Sequence, residues 1–320
     1  MELNEEHQLR RRLRHIPQQE LKNFTRDGSL AVALSVYTSP VCLRWYHSAV
    51  IITKESDIQA AAVAAEKVVQ THQRLVEMLR PGLTLATIDE FVGQTLKDLD
   101  SRSAFIGYKV RGHPPFPSHA CLSVNECVVH GTHDMSTDPL EPGDIISIDI
   151  GVEHKGWIGD AAWTYAIREV SDEALALMRA GAESLRRGFE AMQLDRPLID
   201  WARVVQEYVE KQQGFGLVRG LGGHGYGKTL HSPPFISNVV PTFPGEWPDA
   251  YTAFKEGMLI AVEPMLAMTT TEIRSEGRSW PIYSADSSLS VHYEADIRIS
   301  PEGPVNLTQG LFELPEIVGT

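Results

Sequence analysis

Apolar and small or polar residues alternate through Ile145 to Ile167, IISIDIGVEHKGWIGDAAWTYAI, in two runs on either side of His154-Lys155-Gly156. Alternation at period two marks strands, and the intervening residues mark a tight turn, so the stretch predicts a β-hairpin. Each run carries one aspartate, Asp149 and Asp160, where a core residue is expected. A loop at His154-Lys155 would set the two directly opposite, with Cβ atoms about 4.5–5.5 Å apart. Two carboxylates that close in an apolar sheet repel and are poorly hydrated. A cation between them removes both problems. Hydrogen bonds from loop amides to strand-end aspartates are the other way to satisfy them.

Helical patterning precedes and follows the hairpin. Ala60, Val63, Ala64, Val68, Leu75 and Leu79 predict an amphipathic helix from about Asp57 to Leu79, with Ser56 and Gln59 as a capping box and Pro81-Gly82 as its stop. Ile88, Phe91, Val92, Leu96 and Leu99 predict a second, from about Ala86. The Gly- and Pro-rich GYKVRGHPPFP reads as loop, and Ala120 to Val129 as two short strands around Asn125-Glu126. After the hairpin the order recurs. Ser171 precedes a helix of about Glu173 to Met192, Pro197 opens another to about Lys211, and Gly214 ends it. Strands are expected around Met258–Met265 and Ser290–Ile299. Two helices followed by strands, given twice, predict an α+β domain of two related halves, helices covering one face of a curved antiparallel sheet.

Composition changes this picture little. The chain has 320 residues, 42% of them hydrophobic, enough for one large domain or two small ones. A net charge of −13 argues against a DNA-binding protein. The first 49 residues differ, with seven Lys/Arg against five Asp/Glu. We read 1–49 as a partly basic N-terminal extension and 50–320 as the main domain. Arg10, Arg11, Arg12 and Arg14 suit either a solvated tail or contact with an acidic partner such as RNA. The more apolar segment 30–50 is expected to pack on the main body. Cys42, Cys121 and Cys127 form no CxxC pair, and no apolar run approaches the roughly 20 residues that span a bilayer. A cytoplasmic protein with no membrane association is expected.

Further candidate ligands lie downstream. GGHGYGKTLH frames His224 and His231 with glycines, GMLIAVEPML sets Glu263 in an apolar strand, and SLSVHYEADI does the same for Glu294. Singly, each is as well explained by a buried carboxylate held by amides or a satisfied core histidine. Together, four carboxylates in apolar strands and one imidazole suit Mn, Fe(II), Co or Zn rather than a thiolate site. Four carboxylates exceed what one divalent ion needs, so two ions sharing bridging carboxylates are expected, with a water between them as nucleophile.

The ordered motifs VNECVVHG, ISIDIG, GWIGDAA, GGHGYG, VEPM and HYEADI resemble those of the methionine aminopeptidases, in their compact bacterial type I form, over about Ile51 to Leu307. The resemblance implies the pita-bread fold and removal of the initiator methionine from nascent chains when the next residue is small. It implies that Asp149 chelates one metal, that Asp160 and Glu294 bridge both, and that His224 and Glu263 complete the second. Glu263 would also take the proton from the attacking water. His130 and His231 would contact the peptide and steady the tetrahedral intermediate, a task suited to uncharged imidazoles. Cys121, Trp280 and Phe116, with His113, fall where the family's methionine pocket lies. Leu230 stands where the family usually has an aromatic residue, and Ala295-Asp296 where it usually has His-Thr. Asp296 would either orient a ligand from behind or point past the site. Two rivals follow from the same motifs. One is an Xaa-Pro aminopeptidase, whose branch usually carries a large extra N-terminal domain. The other is a non-catalytic protein bound to the ribosome through residues 1–26, whose kind usually lacks some ligands.

Overall fold

The computed structural model describes residues 49–320 except Pro244. The arginine-rich tail, Cys42 and nearly all of segment 30–50 lie outside the described residues. In chain order the elements are helices α1 (Glu55–Met78) and α2 (Leu85–Asp98), then strands β1 (Arg102–Ser103), β2 (Cys121–Val124), β3 (Cys127–Val129), β4 (Ile145–His154) and β5 (Trp157–Ile167). Next come α3 (Asp172–Ala191) and α4 (Ile199–Gln206), which runs on as a π-helix over Glu207–Gln213. Strands β6 (Gly216–Leu217), β7 (Gly222–Gly225), β8 (Ser232–Ser237), β9 (Leu259–Val262) and β10 (Met265–Ala267) follow. The chain ends with β11 (Ile273–Ser275), β12 (Ile282–Ser284), β13 (Ser290–His292), β14 (Ala295–Ser300), β15 (Gly303–Asn306) and β16 (Ile317–Val318).

The hairpin β4–β5 forms, but its register differs from the expected one. His154 pairs with Trp157, so the loop is Lys155-Gly156, both with positive φ (49° and 82°). Such a two-residue turn matches the twist of the strands. Asp149 therefore lies opposite Ala162, and Asp160 opposite Gly151. The two aspartates are diagonal neighbours on one face rather than a direct pair, a spacing of roughly 7–8 Å between backbones that carboxylates still bridge.

Helix α1 starts earlier than its sequence suggests. Lys54 is the N-cap without a side-chain bond, Ser56 lies inside the helix, and Gln59 donates to Glu55, so there is no capping box. The buried face is Ala61, Ala64, Ala65, Val68, Val69, Thr71, His72 and Leu75, whereas Val63 is exposed. The rotation follows from contact with the hairpin. A Cβ on Gly159 would sit 2.6 Å from the Ala64 backbone, so the small residues of α1 turn inward where β5 comes closest. Ser171 caps α3 as expected, accepting from the Ala174 amide, and Gly214 ends the second helical segment in the left-handed conformation.

Two five-stranded sheets, β1-β4-β5-β16 with β2 on β4 and β15-β14-β9-β7-β8, carry the fold, with two three-stranded sheets beside them, β13-β10-β6 and β11-β12-β3. Pairings are antiparallel except β16 on β5. The single long strands expected around Met258–Met265 and Ser290–Ile299 are each broken in two. Pro264 has no amide hydrogen for a ladder, so β9 stops before Glu263-Pro264 and β10 resumes in another sheet. The second break falls at Tyr293-Glu294, because Tyr293 donates to Pro264 and Glu294 donates to Ala162 instead of continuing one ladder. Helix α1 packs on β4 and β5, and α3 on β10, β13 and β15. One apolar core runs through both halves, from Val68 and Leu75 through Ile148 and Tyr165 to Leu177, Trp201, Val262 and Ile297.

Candidate metal centre

The two strand breaks matter because they turn Glu263 and Glu294 out of their ladders and toward the hairpin. A seam of period two joins β5 to the chain around the second break. The Thr164 hydroxyl donates to the His292 carbonyl (2.9 Å), the Glu294 amide to the Ala162 carbonyl (2.9 Å), and the Asp160 amide to Asp296 Oδ2 (2.9 Å). Ser147, paired with Thr164 on β4, accepts from the His292 amide (3.1 Å). Residues 292, 294 and 296 are thus set beside 164, 162 and 160. The Glu263 break is held from behind: Asn238 donates to its carbonyl (2.9 Å) and is itself fixed by the Trp201 indole (3.1 Å).

The side chains so placed form one acidic cluster. Donor atoms of Asp160, His224 and Glu294 lie within 4.8 Å of one another, as do those of Glu263, His292 and Glu294. His224 Nε2 is 3.8 Å from Asp160 Oδ2 and 4.0 Å from Glu263 Oε1. Asp149 completes the cluster from β4. Burial first, and then the charges of the neighbouring carboxylates, push Asp149, Asp160, Glu263 and Glu294 well above the usual carboxylate range. Burial holds the His224 imidazole down at about 4, so it is neutral near pH 7 with a lone pair to offer. Asp149 Oδ1, Asp160 Oδ1 and Glu294 Oε1 are buried without a hydrogen-bond partner. Orphaned carboxylate oxygens facing one another cost several kcal/mol each unless a cation joins them. The donor set of four carboxylates and an imidazole fits divalent metal.

Asp296, with two readings open from sequence, turns its Oδ2 to the amide of Asp160 and so fixes the strand that carries that carboxylate. His231 sits at the rim, its ring 4.3 Å from that of His224 and its Nδ1 2.7 Å from the Tyr108 hydroxyl. Surrounding protein, and behind it His224 and His130, keeps its imidazole well below the ordinary value. His130 has positive φ (58°), lies edge-on to Trp280 at 6.0 Å, and is held at about 4 by loss of solvent. Phe116, Cys121 and Leu230 are buried in one apolar cluster, with Tyr108 and Trp280 packed against it. Cys121 lies directly across β2–β4 from Asp149, and burial with that charge pushes its thiol up. Trp280 stands edge-on to Phe116 (5.2 Å), donates to the Pro114 carbonyl (3.0 Å) and lies tilted against the His113 ring (5.1 Å). The apolar wall therefore adjoins the acidic cluster. Sequence reasoning passed over His292. Its signal was the alternation His292, Glu294, Asp296, three polar groups at strand period in an apolar run.

The sequence pattern of Metallopeptidase family M24 matches residues 59–301. The methionine aminopeptidase of Clostridium acetobutylicum is 35% identical over 259 residues, covering 81% of this chain and 98% of that protein. Methionine aminopeptidase 1 of Mycobacterium tuberculosis is 33% identical over 259 residues, covering 79% and 93%. The crystal structure of methionine aminopeptidase from Rickettsia prowazekii superposes with a TM-score of 0.75 at 27% identity, covering 82% of this chain and all of that one.

Proposed function

The chain belongs to metallopeptidase family M24, and from that footing we propose that it removes the N-terminal methionine from nascent proteins and peptides whose next residue is small. The observation that carries the reading is the set of buried, partnerless carboxylate oxygens of Asp149, Asp160 and Glu294 beside His224 and Glu263. These five residues would hold two divalent ions, of Co, Mn, Fe(II) or Zn. Bound there, the ions supply Lewis acidity and a water acidic enough to attack a carbonyl. Glu263 would serve as the general base that takes a proton from the attacking water and passes it to the leaving amine. His231 and His130, both neutral, donate hydrogen bonds to the peptide and to the developing oxyanion. The methionine side chain packs on Phe116, Cys121, Leu230 and Trp280. We take 50–320 as the catalytic domain and 1–49 as an extension whose arginines suit contact with ribosomal RNA, where new N-termini emerge in the cytoplasm. Among the described residues no helix is long and apolar enough to cross a membrane.

The test is release of methionine from Met-Ala-Ser, with Xaa-Pro peptides as the competing substrates. Met-Ala-Ser is expected to be cleaved and the Xaa-Pro peptides spared; the reverse would assign the chain to the other branch of the fold. Asp149→Ala and Glu294→Ala are expected to abolish both activity and bound metal. His231→Ala is expected to lower turnover on the order of 10²-fold with metal content unchanged. Metal loss in that variant would refute the role given to His231.

A further inference from the structure

Among the described residues, His292 is the imidazole beside the carboxylates that the proposed mechanism leaves without a task. Its side chain is buried and its Nε2 has no hydrogen-bond partner. Nε2 lies 3.3 Å from Glu263 Oε2 and 3.9 Å from Glu294 Oε2. Those separations match or better the ones His224 makes, 3.8 Å to Asp160 and 4.0 Å to Glu263. Zinc–nitrogen and zinc–oxygen bonds are about 2.0–2.2 Å, which puts two donors to one ion roughly 3 to 4 Å apart. Glu263 turns Oε1 to His224 and Oε2 to His292, so it stands between two rings. The backbone of His292 is fixed on both sides, its amide by Ser147 and Thr164 and its carbonyl by Thr164. That seam spends buried hydroxyls on holding one residue in one place, a use that orients a ring rather than merely fills a core.

We propose that His292 is a sixth ligand of the centre, its Nε2 sharing a cation with Glu263 and Glu294. The inference rests on the metal-bound reading above. A second imidazole shifts a carboxylate cage toward the borderline metals, Zn, Co and Fe(II), and away from Mn. Loss of affinity alone would not separate a ligand from a neighbour that orients Glu263, since either change costs about 10–100-fold. The ring nitrogens themselves do.

The experiment is NMR of the zinc-loaded full chain labelled with 15N-histidine, in the wild type and in His292→Gln and His224→Gln. Two zinc-shifted ring nitrogens are expected in the wild type, of which His292→Gln removes one and His224→Gln the other. The wild-type spectrum counts ligands even if a variant fails to fold. A single zinc-shifted nitrogen that disappears with His224→Gln and survives His292→Gln overturns the proposal and leaves the peptidase reading standing. A wild type that takes up no zinc overturns both. A supporting readout is the metal preference of His292→Gln, expected to fall at least about 10-fold for zinc relative to manganese; an unchanged ratio counts against the sixth ligand.

Discussion

His72 shows what burial does to a single titratable residue. It lies fully buried on the inner face of α1, with Nδ1 2.9 Å from the Tyr165 hydroxyl. Burial lowers its pKa to about 4, against about 6.5 in an unfolded chain. Between those values the unfolded chain takes up a proton and the folded one does not. Stability from this residue is therefore complete above pH 6.5 and is lost as pH falls toward 4. The loss between pH 7 and pH 5 amounts to about 2 kcal/mol. Urea unfolding of metal-free protein at both pH values checks this: His72→Gln is expected to show a pH dependence shallower than wild type by about that amount, and equal slopes would contradict it. The same physics decided which site residues were readable. Asp149, Asp160, Glu263 and Glu294 stand out in sequence because a carboxylate in an apolar run needs a partner. His292 stands out less: it shares a strand period with Glu294 and Asp296, but a histidine in a strand is commonly a satisfied core residue. Only the folded chain shows that its Nε2 is unpartnered and aimed at Glu263.

The hairpin and the helix against it are coupled through Gly159. Any side chain there meets the backbone of α1 at Ala64 and Ala65, at 2.6 and 2.7 Å, so neither element can yield without shifting whole. Gly159→Ala is expected to destabilise the fold by about 1–3 kcal/mol, read from the chemical unfolding midpoint. It should also disturb metal uptake, because Asp160 is the next residue on β5. An unchanged midpoint would show that α1 moves freely on the sheet. The existence of the helices and the hairpin was legible from periodicity, but their phase was not. One residue in the turn decides which side chains stand opposite, and Lys155-Gly156 rather than His154-Lys155 forms the loop. The face of α1 was misread at Val63 because alanines 61, 64 and 65, not the larger valine, are what the close approach to β5 admits. The break at Pro264 was readable in principle; the one at Tyr293-Glu294 depends on partners far along the chain.

At the scale of the molecule, the pita-bread fold sets two five-stranded sheets to share one charged seam. Asp149 and Asp160 come from one sheet, His224 from the other, and Glu263 and Glu294 from the breaks between strands. Without a cation the mutual repulsion of these carboxylates acts across the seam; with one it becomes attraction between halves. The motifs carried this arrangement in sequence because each sets its polar residues in a short apolar or glycine-rich stretch. Cations that bind only the folded chain raise its stability, by about 2.7 kcal/mol at a hundredfold excess over Kd. The most direct measurement is a titration of the chelated full chain with Mn or Co, following ions bound per chain, thermal midpoint and methionine release from Met-Ala-Ser in the same samples. Two ions bound per chain, a rising midpoint and the onset of methionine release together are expected. Release of methionine by the metal-free chain, or saturation with ions that leaves both midpoint and release unchanged, would contradict the account.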